Sequence, residues 1–453
     1  MKNASLKVVT RFAPSPTGLF HVGGIRSALY NFLFARQHKG TFILRCDDTD
    51  KERSRKEYEN YFLEVFKWLS LSYDEYYRQS ERTEIYKKYL EKMIADGTAY
   101  ISKEVPKEEG DKEEVIRFKN PNKKISFDDV VLGRIEFDTK DLGDFIIARD
   151  LESPLYHFAT VVDDYEMKIT HVIRGQEHVS NTPRQILMQE AIGAPQPIYA
   201  HASIILDKDR KKLSKRDPKV LPVLEYKSMG YLPEAILNFM AFIGWNPGTE
   251  QEIFTLDNLI GSFSLEKLQK PGAIFNSEKL DWVNKEHIKL LPKVKLLEHI
   301  NSAIPEKIRN LPEWGEERLA KIIPILIERI VKFSDITQMA EAGEIDFFFQ
   351  APEYDAVNLI WKKDIDGGVI RAEIGNLIET IEKIPEESFT EAGIKEAILS
   401  FIGDKDRGSI LWPMRYALSG IDKSPDPFTI ASILGKNETV SRLKSAKKKL
   451  HLN

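Results

Sequence analysis

The sequence predicts an α/β protein: a parallel sheet split by an inserted segment, followed by an α-helical C-terminal region. Three observations carry that prediction. A strand–turn–helix–strand pattern opens the chain. Strand-like runs resume after about residue 155, beyond a long polar interruption. Past about residue 310 the apolar residues recur at helical spacing.

The opening run "LKVVTRFA" is β-type, and "GIRSALYNFLFARQHKG" places Ile25, Ala28, Leu29, Phe32, Leu33 and Ala35 at helical spacing. Gly40 is positioned to close that helix. The apolar run "TFILRC" follows, completing one βαβ unit of a parallel sheet. The segment "TAYISKEVPKEEGDKEEVIRF" breaks the pattern, and its charged centre reads as a solvated hairpin or mobile loop. The sheet resumes with "YHFATVVDDY" and "THVIRG" read as strands. In "SNTPRQILMQEAIG" a helix is predicted, with Asn181 or Thr182 as cap, Pro183 in the first turn and Gly193 at the end. "YAHASIIL" is a further strand. In the C-terminal region, Ile370, Ile374, Leu377, Ile378 and Ile381 share one helical face, as do Ile394, Ala397, Ile398 and Phe401. The last helical stretch carries Arg442, Lys444, Lys447, Lys448 and Lys449, suited either to RNA phosphates or to a solvated face.

Composition bounds the chemistry. With 66 Lys and Arg against 70 Asp and Glu, the net charge of −4 argues against bulk nucleic-acid binding but allows a local basic surface. The start lacks the apolar run of a signal peptide, and the most apolar stretches are too short to span a bilayer. Cys46 is the one cysteine, so neither an internal disulfide nor a multi-cysteine zinc site is expected. A reducing cytoplasm is the simplest compartment.

Two stretches point to a site. "PSPTGLFHVGG", residues 14–24, sets Gly23 and Gly24 at a helix N-terminus, where unpaired N–H groups can meet an anion, with His21 at the mouth. A rigid turn with no ligand is the bland alternative. Neither GxxxxGK[ST] nor GxGxxG is present, so the P-loop and dinucleotide signatures are missing. In "DRKKLSKRDP", residues 209–218, five of ten side chains are cationic. Such a run is either a solvated loop or a loop that brings lysines to a phosphate chain.

Together these stretches resemble the HIGH and KMSKS signatures of class I aminoacyl-tRNA synthetases. "RFAPSPTG", "FILRCDDTD", "HVIRGQEHVSNTPRQ", "GYLPEAILNFMAFIGWNP" and "ILGKNETVSRL" occur in order, and the set is similar to the bacterial glutamyl-tRNA synthetase family from about residue 8 onward. The resemblance implies a Rossmann-like catalytic domain in two halves, 1–75 and 174–245. It also implies an inserted acceptor-stem domain at 76–173, a connecting region at 246–310 and a helical anticodon-binding region at 311–453. It implies ATP as substrate with Mg²⁺, L-glutamate, and tRNA(Glu) as partner, with tRNA(Gln) left open. A cytoplasmic monomer without membrane contact is expected.

By motif, His21, Lys212 and Lys215 would be catalytic, and Thr17, His21, Gly23, Gly24 and Lys215 would hold ATP. The amino-acid pocket must hold two carboxylates and one ammonium, so two cations and one anion are the minimum. Arg11 would read the side-chain carboxylate, Arg174 would bind a second carboxylate, and Asp47 would meet the ammonium, where the family usually has Glu. Ala13, Ser15 and Tyr156 complete that set. Many bacterial relatives carry a small zinc site in the insert; here its cysteine positions hold other residues, so no structural zinc is expected. Three rivals are a glutamyl-queuosine-type tRNA-modifying paralogue, a glutaminyl-tRNA synthetase, and a nucleotidyltransferase or inactive RNA-binding module. The long helical tail disfavours the first two, and the glutamate-pocket strings disfavour the third.

Overall fold

The computed structural model describes residues 7–104, 113–213, 221–361 and 366–450. Lys215 and the charged centre of the segment around residue 108 lie outside the described residues. The chain divides into two compact units, Met1–His287 and Ile288–Asn453.

The first unit opens with β1 (Val9–Phe12), α1 (Val22–Gln37), β2 (Thr41–Cys46), α2 (Lys56–Trp68) and β3 (Glu75–Arg78). These strands pair in parallel in the order β1-β2-β3. All six residues of β2 are buried, as a central parallel strand covered on both faces requires. Helix α1 buries Ile25, Ala28, Leu29, Phe32 and Leu33, and it ends as Gly40 N–H bonds the Ala35 carbonyl at 2.8 Å. The left-handed residue at that end is Lys39, at φ 52°, and not Gly40. Gly40 serves a different need: a Cβ there would collide with the Val8 carbonyl oxygen.

Next come α3 (Thr83–Ala95), β4 (Ala99–Lys103), β5 (Glu114–Phe118), β6 (Lys124–Asp129), β7 (Gly133–Asp138) and β8 (Phe145–Ala148). Strands β4, β5 and β8 form a separate antiparallel sheet. The β6–β7 hairpin takes another course and joins a second sheet with later strands, in the order β7-β6-β10-β9.

Those later elements are α4 (Tyr156–Glu166), β9 (His171–Gly175), α5 (Thr182–Ile192), β10 (Ile198–Ala202) and β11 (Ile205–Leu206). The stretch "YHFATVVDDY" is thus a helix, not the strand its β-branched run suggests. Phe158, Ala159, Thr160, Val161, Val162, Asp163 and Asp164 are all buried, so the helix is enclosed on nearly every side. An enclosed helix loses the amphipathic stripe that distinguishes it from a strand. In α5 the left-handed Gly193, at φ 76°, and the early proline fall where expected, but Asn181 makes no side-chain cap. Thr182 is occupied elsewhere, as described below.

Backbone contacts join the two sheets. Thr170 N–H donates to Val9 O at 3.0 Å, and Val9 N–H donates to the Thr170 hydroxyl at 2.8 Å. The spatial order is therefore β3-β2-β1, then β9-β10. Strand order reverses between β1 and β9, which is where doubly wound sheets open a crevice at their carboxyl ends.

The first unit finishes with α6 (Val223–Ser228), α7 (Pro233–Phe242), α8 (Leu256–Ser262), β12 (Ala273–Ile274), which pairs with β11, and α9 (Ser277–Lys289). The second unit's described elements are helical: α10 (Lys293–Ala303), α11 (Glu306–Arg309), α12 (Glu316–Arg329), α13 (Ser334–Glu341), α14 (Gly367–Glu382), α15 (Glu391–Ile402), α16 (Arg407–Ser419), α17 (Pro427–Leu434) and α18 (Lys436–Lys449), with short 3₁₀ turns between. The isoleucine and leucine stripe of α14 is buried. Arg442 corrects the reading of α18 as a basic outer face. It is buried, and its guanidinium donates to the carbonyls of Phe347 at 2.8 Å, Leu418 at 2.5 Å and Gln350 at 3.0 Å. Those bonds tie three chain segments together and hold the guanidinium inside, out of reach of a phosphate. Lys444 also has an internal partner, Glu382, at 2.8 Å. No helix of the described residues is long and apolar enough to cross a membrane.

Candidate active site

A cavity of about 670 Å³ lies at the carboxyl ends of β1 and β9, against the N-terminus of α1. That volume falls in the range of small-molecule sites. Its lining brings together Ser15, Thr17, His21, Gly23, Gly24 and Lys212, six of the residues singled out from the sequence. His21 occupies the N-cap position of α1 in extended conformation and forms a backbone bridge with Pro222. Val223 N–H reinforces that bridge by donating to Phe20 O at 3.1 Å. Lys212 is held from the other side, through a backbone bridge to Leu206 and the adjacent Leu213 N–H to Ile205 O bond at 2.9 Å. The two roots of the lysine segment are thereby attached to the floor of the cavity.

The two glycines have separate duties. A Cβ at Gly23 would meet only Ile205, at 3.9 Å, so this position leaves the helix end open to a ligand. A Cβ at Gly24 would collide with the Phe20 ring. That ring packs on Phe12 with centroids 5.6 Å apart, so Gly24 allows the turn to fold back against β1. The cavity suits a nucleotide: it has helix N–H groups at one end, a lysine at its rim and backbone at close range.

Beside the cavity lies a cluster of buried charges. Arg11, on β1, is 5% exposed and donates to Asp164 from Nε at 3.1 Å and from Nη2 at 3.2 Å. Arg45, on β2, is wholly buried. It donates from Nε to Asp47 at 2.7 Å and from Nη1 to Asp164 at 2.8 Å. Asp163 stands 3.7 Å from Arg45 and accepts from Gln79, Arg82 and Tyr86 at 2.9, 2.7 and 2.8 Å. Burial pushes the Asp47 carboxyl up to about 6, against the opposing pull of Arg45. Asp164 is held below the ordinary carboxylate range, because the guanidinium groups of Arg11 and Arg45 outweigh its burial. The turn carrying Ala13 reaches this cluster, since Asp47 N–H donates to Pro14 O at 3.0 Å.

Arg174, on β9, is 7% exposed and has neutral hydrogen-bond acceptors. Its Nε donates to His201 Nε2 at 3.1 Å and its Nη2 to the Thr182 hydroxyl at 2.9 Å. Its guanidinium also lies 5.8 Å from the Tyr199 ring centre. Burial lowers its proton affinity below the usual arginine value. Tyr156, at the first position of α4, feels the charges of Arg174, Asp47 and Arg11, and burial raises its phenol above the ordinary range. Arg11, Asp47, Tyr156 and Arg174 therefore share one electrostatic neighbourhood.

Sequence reading missed Arg45, Asp163, Asp164, His201 and Asp129. The doublet Asp163–Asp164 inside an apolar run was a usable signal, because buried carboxylates demand cationic partners. Among the described residues no group of three or more His, Cys, Asp or Glu is placed to hold a metal ion.

A parallel sheet opening at its switch point, with an anion-ready helix end and a flanking lysine, is the catalytic architecture of a class I tRNA synthetase. Residues 7–109 and 102–282 match the family of class I tRNA synthetases (E and Q), catalytic domain, and residues 295–447 match the anticodon binding domain family. Among curated relatives, glutamate–tRNA ligase of Carboxydothermus hydrogenoformans is 38% identical, over 96% of this chain and 99% of its own. That of Thermodesulfovibrio yellowstonii is 37% identical, over 96% and 98%. Among solved structures, a glutamate tRNA ligase from Elizabethkingia meningosepticum, in complex with its amino acid, superposes with a TM-score of 0.86 at 33% identity. That alignment covers 98% of this chain and 100% of the other. The glutamate-tRNA synthetase of Elizabethkingia anophelis gives 0.83 at 33% identity, with the same coverage. The chain belongs to the glutamate–tRNA ligase family.

Proposed function

We propose that this chain is a glutamate–tRNA ligase, joining L-glutamate to the 3′ end of tRNA(Glu) at the expense of ATP. In the first step an α-carboxylate oxygen of glutamate attacks the α-phosphorus of ATP, and pyrophosphate departs. In the second a terminal ribose hydroxyl attacks the acyl carbon, and AMP departs. The observation that carries the reading is the placement of Arg11 and Arg174. Two nearly buried guanidinium groups lie at the ends of β1 and β9, beside a nucleotide-sized cavity.

In this reading the protein positions reactants and stabilises charge. His21, Thr17 and the backbone at Gly23 and Gly24 hold ATP. Lys215 meets the departing phosphates, and Lys212 assists it or anchors the loop. Arg11 takes the side-chain carboxylate of glutamate, Arg174 a second carboxylate, and Asp47 the ammonium, with Ala13, Ser15 and Tyr156 completing the pocket. Magnesium arriving with the nucleotide would neutralise phosphate charge, and Glu177 on the cavity wall is the carboxylate that would hold it there.

Residues 76–173 contact the acceptor end of tRNA, 246–310 connect, and 311–453 read the anticodon. The enzyme works as a cytoplasmic monomer, and its single cysteine supports a fold without structural zinc. Whether tRNA(Gln) is also a substrate is decided by the same experiment that tests the whole reading: aminoacylation of purified tRNA(Glu) and tRNA(Gln) with radiolabelled glutamate and glutamine. Glutamate on tRNA(Glu) is the expected product. Failure to charge either tRNA with glutamate would overturn the assignment.

A further inference from the structure

A fully buried pair, Asp129 and His201, stands directly behind Arg174. Asp129 ends β6, inside the segment between the two catalytic halves, and His201 lies on β10. Asp129 Oδ2 is 2.6 Å from His201 Nδ1. On the far side of the ring, His201 Nε2 is 3.1 Å from Arg174 Nε. Arginine has only donors, so Nε2 must accept. The ring proton therefore resides on Nδ1 and is donated to Asp129. The chain of contacts has one consistent direction: Arg174 donates to His201, and His201 donates to Asp129.

We infer that Asp129 and His201 are positioning residues that fix the guanidinium of Arg174 for the amino-acid substrate, by enforcing the His201 tautomer able to accept from it. Asp129 does this because its own charge is locked in place. Its Oδ1 accepts from Val131 N–H at 3.0 Å and Leu132 N–H at 2.8 Å, and its Oδ2 accepts from His201 N–H at 3.1 Å. With Nε bound to His201 and one Nη2 hydrogen on Thr182, the remaining Arg174 donors are left for a ligand. Anchoring of this kind commonly governs affinity at a site through a residue that never touches the ligand. The inference rests on the reading of Arg174 as a carboxylate-binding residue.

Asp129→Asn is the incisive variant. Its amide oxygen belongs at the Oδ1 position, which accepts the two turn N–H groups. That puts the amide NH₂ against His201 Nδ1, drives the ring proton to Nε2 and sets a donor against the Arg174 donor. His201→Asn is the second variant. It retains an N–H toward Asp129 and removes the acceptor for Arg174 together with the ring that stacks on Tyr199, so it reads the same contact if Asp129→Asn fails to fold. In the full chain with tRNA(Glu), we expect the KM for glutamate to rise about 10- to 150-fold, the effect of one lost hydrogen bond to a charged group. The KM for ATP should stay within about twofold. In an Arg174→Lys background, which lacks Nε, either substitution should add little further. Nitrogen NMR of histidine-labelled protein should show His201 protonated at Nδ1 in the wild type and at Nε2 in Asp129→Asn. A wild-type proton on Nε2, an unchanged glutamate KM in a folded variant, or an undiminished effect in the Arg174→Lys background would each refute the inference. These outcomes differ from failure of the underlying assignment, in which the wild-type chain itself charges no tRNA with glutamate.

Discussion

Arg11→Gln tests how the pocket separates glutamate from glutamine. The two amino acids are nearly isosteric, so shape cannot distinguish them; charge can. Arg11 is 5% exposed and already paired with Asp164, so what a neutral amide opposite it would lose is the second, charge-assisted carboxylate contact in a dry site. Loss of one partner from a buried, hydrogen-bonded charge pair costs about 2–5 kcal/mol, so kcat/KM for glutamate should fall roughly 30- to 5,000-fold. The fold should tolerate the change, because Asp164 retains Arg45 at 2.8 Å when Arg11 is gone. The assay is the ratio of kcat/KM for glutamate over glutamine, in Arg11→Gln and in Arg174→Gln. Collapse of the ratio in Arg11→Gln is the expected result. If that variant keeps the wild-type ratio while Arg174→Gln loses it, the roles of the two arginines are exchanged. If neither ratio moves, the idea that arginines read the side-chain carboxylate is refuted.

Further tests address other parts of the site. Lys215→Ala should slow adenylate formation by roughly 10²–10³ while leaving glutamate binding little changed, and normal single-turnover activation would remove Lys215 from the mechanism. Gly24→Ala drives a methyl into the Phe20 ring, so the KM for ATP should rise several-fold with a smaller effect on glutamate; unchanged ATP kinetics would show that the turn gives way freely. Asp47 sits near 6 because burial raises it above its ordinary value, and only its ionised form can meet an ammonium. As pH falls below about 6, the KM for glutamate should therefore climb up to tenfold per unit, and Asp47→Asn should give a high, flat profile. A wild-type KM constant from pH 7 to 5 would speak against that role. Elemental analysis should find no stoichiometric zinc, and one tightly held zinc per chain would contradict the single-cysteine argument.

The opening βαβ unit was legible because its signals are local. Apolar spacing marked α1, and a turn rich in proline and glycine marked the helix end that borders the cavity. The helix α4 was not legible, since burial on nearly every side erased its amphipathic stripe and left Val161 and Val162 looking like strand. Resemblance to the family singled out Arg11, Asp47 and Arg174, but their surroundings are non-local. Asp164 reaches Arg11 across 153 positions and Arg45 across 119, and Asp129 reaches His201 across 72. A single sequence reveals that a buried carboxylate needs a partner, not which arginine answers. Arg442 shows the same limit: its place in a basic run suggested a surface, whereas three distant carbonyls hold it inside.

The span between Arg45 and Asp164 has a consequence during synthesis. Both strands that carry the pocket's first arginines leave the ribosome well before the helix bearing their counter-charges. At about 5–20 residues per second, the 119 to 153 intervening positions take roughly 6–30 s to make. For that interval Arg45 has only Asp47, two positions on, and Arg11 has no carboxylate from α4, so burying either guanidinium is disfavoured. Asp164 supplies the missing counter-charge for Arg11 and a second one for Arg45, so closing β1 and β2 over their arginines is favoured only once α4 has been made.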